Sequence, residues 1–387
     1  MNSYDYVVNG IKFFVQSDYD CNALDLIRPD NSSVLSQVYI TVLHDERYYN
    51  DLLRTKEENE LKEVTATTEF SYLEGYTMSE ARKCRILFSH AGYKNHPHII
   101  MVFNDNEYKI IAPKITDISD RYALRIIREY TLRNAENRGG ILLHAASATI
   151  QGNGVLICGN SGDGKTTTLC SLLLNANANY ISNDRTILQI KNNELTATSF
   201  PLAMNLGVGT FQALQHELNL QYNKLKRKPD LKDSYEDIFR KDWNSKSTIE
   251  SNWIRRDKIQ LTTSEVEEAF RCKSGISAPV KIIIFPKLSS SNEKIKFYPI
   301  SYSEIRDLID KNIYTPVDPD FKNEWLGIRK TDEFSLKNNV NETVKHLQNL
   351  KLYRLECGID YLKESKGFWN NFIKNIDDRK EFIHENI

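Results

Sequence analysis

The sequence predicts an α/β protein in two parts: an N-terminal mixed-sheet α+β domain over 1–135, then a phosphate-binding-loop domain over 136–387 with a charged helical insertion at about 211–272. Three observations carry this reading. Short apolar runs separated by Asn-, Asp- and Ser-rich stretches fill residues 1 to about 115, as strands do. An amphipathic run, TDISDRYALRIIREYTLRNAENRGG, follows and ends on Gly139 and Gly140. Then GNSGDGKTTTL at 159–169 sets Gly159, Gly164, Lys165 and Thr166 in the spacing of a loop whose backbone N–H groups surround a polyphosphate.

Taken in order, YVVNGIKFFVQ, SQVYITVLHD, RILFSH and HIIMVFNDNEYKIIAP are expected as strands. Tyr122, Leu124, Ile126, Ile127, Tyr130 and Leu132 then approximate one helical face, and the domain boundary is placed near this helix. ILLHAASATI, QGNG and VLICG read as two strands joined by a tight turn, the second running straight into the loop. After the loop, Leu169, Leu172 and Leu173 recur at helical spacing, which puts Thr166 at a helix N-terminus, where free N–H groups favour anions. YISNDRTILQI, a KNNE turn and LTATSF read as another antiparallel hairpin, where a doubly wound nucleotide hydrolase would alternate strand and helix. Residues 211–272 are charged and mostly helical in pattern, with a basic cluster KLKRKPDLK at 224–232 that reads as a solvated insertion or a substrate-docking lid. VKIIIFP, KIKFYPI and KLYRLECG are late strands, and FWNNFIKNIDDRKEFI is a C-terminal helix.

Composition narrows the partners. Fifty-one Lys and Arg nearly cancel 52 Asp and Glu, so no global field draws in nucleic acid or an anionic membrane. Six cysteines lie scattered with no C-x-x-C pair, and no apolar run approaches membrane-span length, so the expectation is a cytoplasmic protein.

The loop names a ligand and not a reaction. Lys165 is expected on the β- and γ-phosphates, Thr166 on Mg²⁺, and Gly159, Asn160, Ser161, Gly162, Asp163, Gly164 and Thr167 complete the cradle, with Asp163 itself reading as a turn residue. Phosphoryl transfer also needs a carboxylate near the metal, and Asp184, after the apolar pair Tyr180-Ile181, stands where the strand beside the loop should end. Its neighbours are Asn183, which cannot act as a base, and Arg185, which either stabilises charge on the transferring group or makes a surface salt bridge. His144 lies in the middle of an apolar strand pattern, where a lone histidine is more often a satisfied core residue than a catalyst.

With these residues on the page, HAASATIQGNGVLICGNSGDGKTTTLCSLL resembles the HPr kinase/phosphorylase family, whose fold is related to phosphoenolpyruvate carboxykinase. That family has a histidine at the separation of His144, a G-x-G turn matching Gly152 and Gly154, the loop, and an Asp-Asp pair that falls on Asn183 and Asp184. The resemblance covers 140–210 and implies a carboxykinase-like core in which His144 assists the charged site and Asp184 serves metal or nucleophile. Two departures stand out. The family's acid/base aspartate is Asn183 here, and PLAMNLGVGTF replaces an acidic, glycine-containing signature that helps hold the metal and shapes the docking region for HPr. The chain is therefore more similar to the relatives that phosphorylate serine in peptides, including natural-product precursors, or small molecules.

The expected function is a Mg²⁺- and ATP-dependent kinase that transfers the γ-phosphoryl group to a hydroxyl of a peptide, protein or small molecule, with Asp184, Lys165, His144 and Arg185 as the catalytic set. No nucleic-acid or membrane partner is expected, and a homo-oligomer stays open. The alternative from another class is a scaffold or sensor that binds ATP without turnover, suggested by Asn183. A carboxykinase reaction lacks its second metal-binding cluster, and a GTPase lacks an N-K-x-D motif after the loop.

Overall fold

The structure, a computed structural model, describes residues 1–27, 30, 33–56, 61–67, 73–81, 84–89, 97–116, 119–214, 216–220, 258–289, 293–316, 318, 321, 323–359, 362, 365–376 and 384–385. The basic cluster 224–232 and most of the expected insertion fall outside them. Contacts divide the chain into two units, Met1–Arg138 with Tyr314–Leu336, and Gly139–Ile313 with Lys337–Ile387.

The first unit is built on strands β1 (Asn2–Val8), β2 (Ile11–Ser17), β3 (Ser36–His44), β4 (Leu61–Thr67), β5 (Leu73–Ala81), β6 (Cys84–Ser89), β7 (Ile99–Asn104) and β8 (Glu107–Ala112). Among the described residues they form one mixed sheet in the order β1-β2-β3-β8-β7-β6-β5-β4, parallel at β2–β3 and β3–β8. The run YVVNGIKFFVQ is a hairpin, because Asn9 (φ 52°) and Gly10 (φ 79°) take the left-handed conformations of a two-residue turn. Helix α1 (Glu46–Lys56) buries Tyr49 and Leu52 against Ile86, Phe88, Ile99 and Ile111, while α2 (Tyr122–Glu136) buries Leu124, Ile126 and Ile127.

Within α2, Arg133 is also buried. Its guanidinium bonds Glu129 at 2.6 Å, Glu136 at 2.9 Å, and the carbonyls of Phe321 and Asn323 at 2.9 Å each. Arg329 meets the same Glu136 carboxylate at 2.7 Å. These bonds tie the distant segment Tyr314–Leu336 to α2 within the unit.

The second unit holds β9 (Ile141–Leu143), β10 (Ala145–Ile150), β11 (Asn153–Cys158), β12 (Asn179–Ser182), β13 (Thr186–Lys191), β14 (Glu194–Thr198), β15 (Met204–Gly207), β16 (Lys258–Leu261), β17 (Ser277–Ser289), β18 (Lys296–Pro299), β19 (Lys351–Gly358) and β20 (His384–Glu385). Its helices are α3 (Lys165–Asn175), α4 (Val208–Leu214), α5 (Thr263–Phe270), α6 (Tyr302–Asn312), α7 (Glu333–Gln348) and α8 (Lys366–Ile376), α7 beginning in the first unit. The architecture is thus mixed α/β. The central strand is β17, which runs parallel to β11 and β19 and whose first residues pair antiparallel with β14.

The period-2 alternation of a strand assigns β11 to both sides of its sheet. Val155 and Ile157 join the core beneath α3, α5 and α8, with Leu169, Leu172, Val266 and Trp369. Leu156 and Cys158 join the core beneath α6 and α7, with Ile305, Ile309 and Leu347. With both faces covered, the strand that feeds the loop is held rigidly. The hairpins expected around QGNG and KNNE are present as β10–β11 and β13–β14.

One expected strand is two. ILLHAASATI breaks at His144, since β9 pairs with β13 whereas β10 pairs with β11 and β12. At the break, the His144 N–H donates to the Asn312 carbonyl at 2.7 Å, outside the ladder. The helical pattern expected over 211–272 is interrupted: Lys258–Leu261 is a strand, antiparallel to Met204–Gly207, and helix α5 follows it.

Candidate active site

The glycine loop leaves β11 and enters α3 through Gly164, whose φ of 100° lies in the left-handed region. A Cβ there would overlap the Leu288 side chain, so both conformation and space require glycine. The loop is braced by Asp163: the Asn160 N–H donates to its carboxylate at 2.6 Å, and its carbonyl accepts from the Leu288 N–H at 3.1 Å. Lys165 Nζ folds back onto the carbonyls of Gly159 at 2.8 Å and Asn160 at 3.0 Å. Burial pushes its ammonium below the usual lysine range, against the opposing pull of Asp184, Cys158 and Asp163.

Opposite the loop, the chain turns tightly between β12 and β13. Asn183 is buried at 1% exposure, and Asp184 takes a left-handed φ of 70°. This turn brings Asp184 Oδ1 to 3.0 Å from His144 Nε2. Burial alone would raise the Asp184 carboxyl. The hydrogen bond to His144 and the charges of His144, Arg185 and Lys258 outweigh it and hold the group well below the usual carboxylate range. Asn183 Oδ1 accepts from the Thr166 hydroxyl at 3.2 Å. Thr167 and Thr210 hydroxyls meet at 2.8 Å.

These elements enclose a cavity of about 290 Å³ within the second unit. The loop side is Asn160, Ser161, Gly162, Gly164, Lys165, Thr166 and Thr167, and the floor is His144, Asn183 and Asp184. Gly159 and Asp163 support the loop from behind and do not line the cavity. Arg185 does not line it either; its backbone N–H donates to the Asn183 carbonyl at 2.8 Å, and its charge acts on Asp184.

A third wall was not assigned to the site from sequence. It consists of Asn205, Gly207, Gly209, Thr210 and Lys258. The cause is strand alternation: Met204 and Leu206 of β15, and Ile259 and Leu261 of β16, point into the core under α3. Asn205, Gly207 and Lys258 lie at the alternate positions, with Gly207 and Lys258 in register. PLAMNLGVGTF carries no carboxylate, and nothing local marks Lys258 as its neighbour.

The oxygen donors Thr166 Oγ1 and the Asp184 carboxylate suit a hard cation such as Mg²⁺. Among the described residues no group of three His, Cys, Asp or Glu side chains forms a metal cluster, and the described cysteines are free thiols. No helix among the described residues is long and apolar enough to cross a membrane.

No family model matches the chain. It is similar to an HPr kinase/phosphorylase of Mycoplasma mycoides subsp. mycoides SC, 41% identical over 114 residues that cover 28% of this chain and 33% of that protein. The chain thus spans about a third of the length of this curated relative. A solved structure of the Hpr(Ser) kinase/phosphatase from Coxiella burnetii is similar at 15% identity and a TM-score of 0.20, covering 41% of this chain and 72% of that one. Over the stretch it shares with the Mycoplasma protein, this chain is HPr kinase-like.

Proposed function

We propose that the protein is an ATP-dependent kinase that transfers the γ-phosphoryl group to a hydroxyl of a peptide, protein or small molecule, in a carboxykinase-like phosphate-loop domain and in the cytoplasm. The observation that carries this is the convergence of Lys165, Thr166 and the His144–Asp184 pair on one cavity. Backbone N–H groups of the loop bind the phosphates, and Lys165 exchanges its two carbonyl bonds for phosphate oxygens. Thr166 and Asp184 would hold Mg²⁺, which neutralises phosphate charge when bound.

Asp184 serves this reaction as an anion and orienting group. It reaches the cavity beside the loop, where a carboxylate can orient metal or nucleophile. Asn183, an amide, cannot take the acceptor's proton. Transfer leans on positioning and electrostatics, which suits a one-way kinase. The test is incubation of the full chain with ATP, Mg²⁺ and candidate acceptors, read by mass spectrometry. Wild type should yield a phosphorylated product, and Lys165→Ala should lose it; identical products from both would sink the reading.

A second reading, a protein that binds ATP without turnover, is favoured by one observation: the side chain bonded to Thr166 is an amide and not a carboxylate. It expects tight nucleotide binding, no product with any acceptor, and an Asp184→Asn variant that keeps its biological function.

A further inference from the structure

A second cavity lies within the second unit, at the opposite end of β11 from the glycine loop. It measures about 810 Å³, against about 290 Å³ for the loop cavity, and the two share no lining residue. Pockets for small molecules fall in this size range.

Its cause is a change of partners along β17. The β14 pairing ends at Pro279, the β19 pairing begins at Ile282, and the β11 register steps from Val280 to Ile282 while β11 itself advances only from Gly154 to Val155. Lys281 is thus the extra residue of a bulge, left out of all three registers. Bulges of this kind interrupt the ladder and re-aim a side chain.

Charge gathers at the break. Lys281 Nζ meets Glu194 Oε1 at 2.5 Å, and both side chains are accessible, at 44% and 54% exposure. Lys351 opens β19 opposite Ile282, one residue from Lys281, and lines the same cavity. Asn153 and Asn193 line it too, and their amides are N–H donors. The lining therefore holds two ammonium groups and one carboxylate, a positive excess to which His346 adds when protonated.

That excess selects the ligand. An ammonium ligand would meet both lysines. A phosphomonoester carries about −1.5 to −2 near pH 7 and would over-charge the site beside Glu194. A carboxylate brings one negative charge and two acceptor oxygens, which match the excess and the donors. We infer that this cavity binds a carboxylate-bearing small molecule, held between Lys281 and Lys351, with Glu194 as the internal competitor that it displaces from Lys281. No step of phosphoryl transfer uses this site.

The test follows para-fluorobenzoate binding to the full chain by fluorine NMR at low salt, with and without saturating ATP and Mg²⁺, and with inorganic phosphate as a competing anion. Saturable binding is expected, undisturbed by ATP and displaced less well by phosphate than by unlabelled benzoate. Lys281→Gln and Lys351→Gln should each weaken it about threefold to fivefold, the scale of an exposed ion pair. Glu194→Gln should strengthen it by a similar factor, because it releases Lys281 from its internal partner. Misfolding cannot produce that opposite response. Absence of saturable binding, displacement by ATP, tighter binding of phosphate than of benzoate, or lysine variants that bind as wild type does would each overturn the inference. The kinase reading stands or falls separately, on the product assay.

Discussion

His144 Nε2 and Asp184 Oδ1 stand 3.0 Å apart, joining a break between two strands to a left-handed turn on the floor of the glycine-loop cavity. The pair sets the charge state of the site, because the hydrogen bond and charge of His144 do most to oppose the burial of Asp184.

The pair has a pH signature. Asp184 is depressed in the folded state, so its contribution is fully present above the unfolded carboxyl value of about 3.9 and is lost as the pH falls below that. His144→Gln should therefore lower stability by roughly 1 kcal/mol at pH 7, a figure discounted for the partly exposed carboxylate, and the gap to wild type should narrow below about pH 4. Denaturant unfolding at pH 7, 5, 4 and 3 checks this, and a gap that widens in acid would refute it.

Gly164 and Leu288 make a second testable pair. Gly164→Ala should destabilise by about 1–3 kcal/mol and weaken ATP binding, since the new methyl group meets Leu288 at a strained φ. Gly162→Ala, with φ 92° but open space around its Cβ, should cost about 1 kcal/mol. Adding Leu288→Ala to Gly164→Ala should recover part of the loss, giving a non-additive double-mutant cycle by thermal unfolding.

Lys258 supplies a second cation to the cavity and acts on both Lys165 and Asp184. Lys258→Met should weaken ATP binding several-fold at low salt, with the difference shrinking above about 0.3 M as exposed charges are screened. Calorimetric titrations across salt concentrations measure it. A salt-independent loss would point to packing and not to charge.

In the first unit, Arg133→Met should cost about 3–5 kcal/mol, because it removes the guanidinium bonded to Glu129, leaves Glu136 to Arg329 alone and releases the Phe321 and Asn323 carbonyls. Hydrogen exchange of the α2 amides is the suitable readout, since a chain of two units need not unfold in one step.

What the sequence determined by itself is local. The spacing from Gly159 to Thr166, the strand pattern of VLICG, the leucines after the loop, and the KNNE turn at Asn192-Asn193 each act within a few residues, so pattern suffices to read them. The tertiary structure decided whatever depends on pairing across long separations. His144 reads as a mid-strand residue until β13 and β12 claim opposite sides of it, which breaks the strand and turns the ring toward Asp184. Lys258 and Asn205 join the site only because β16 returns to pair with β15 from beyond the insertion, and Arg133 finds half its partners in a segment far along the chain. Contacts of that range are selected by burying core residues such as Leu206, Ile259 and Phe321, and a sequence window holds only one side of each.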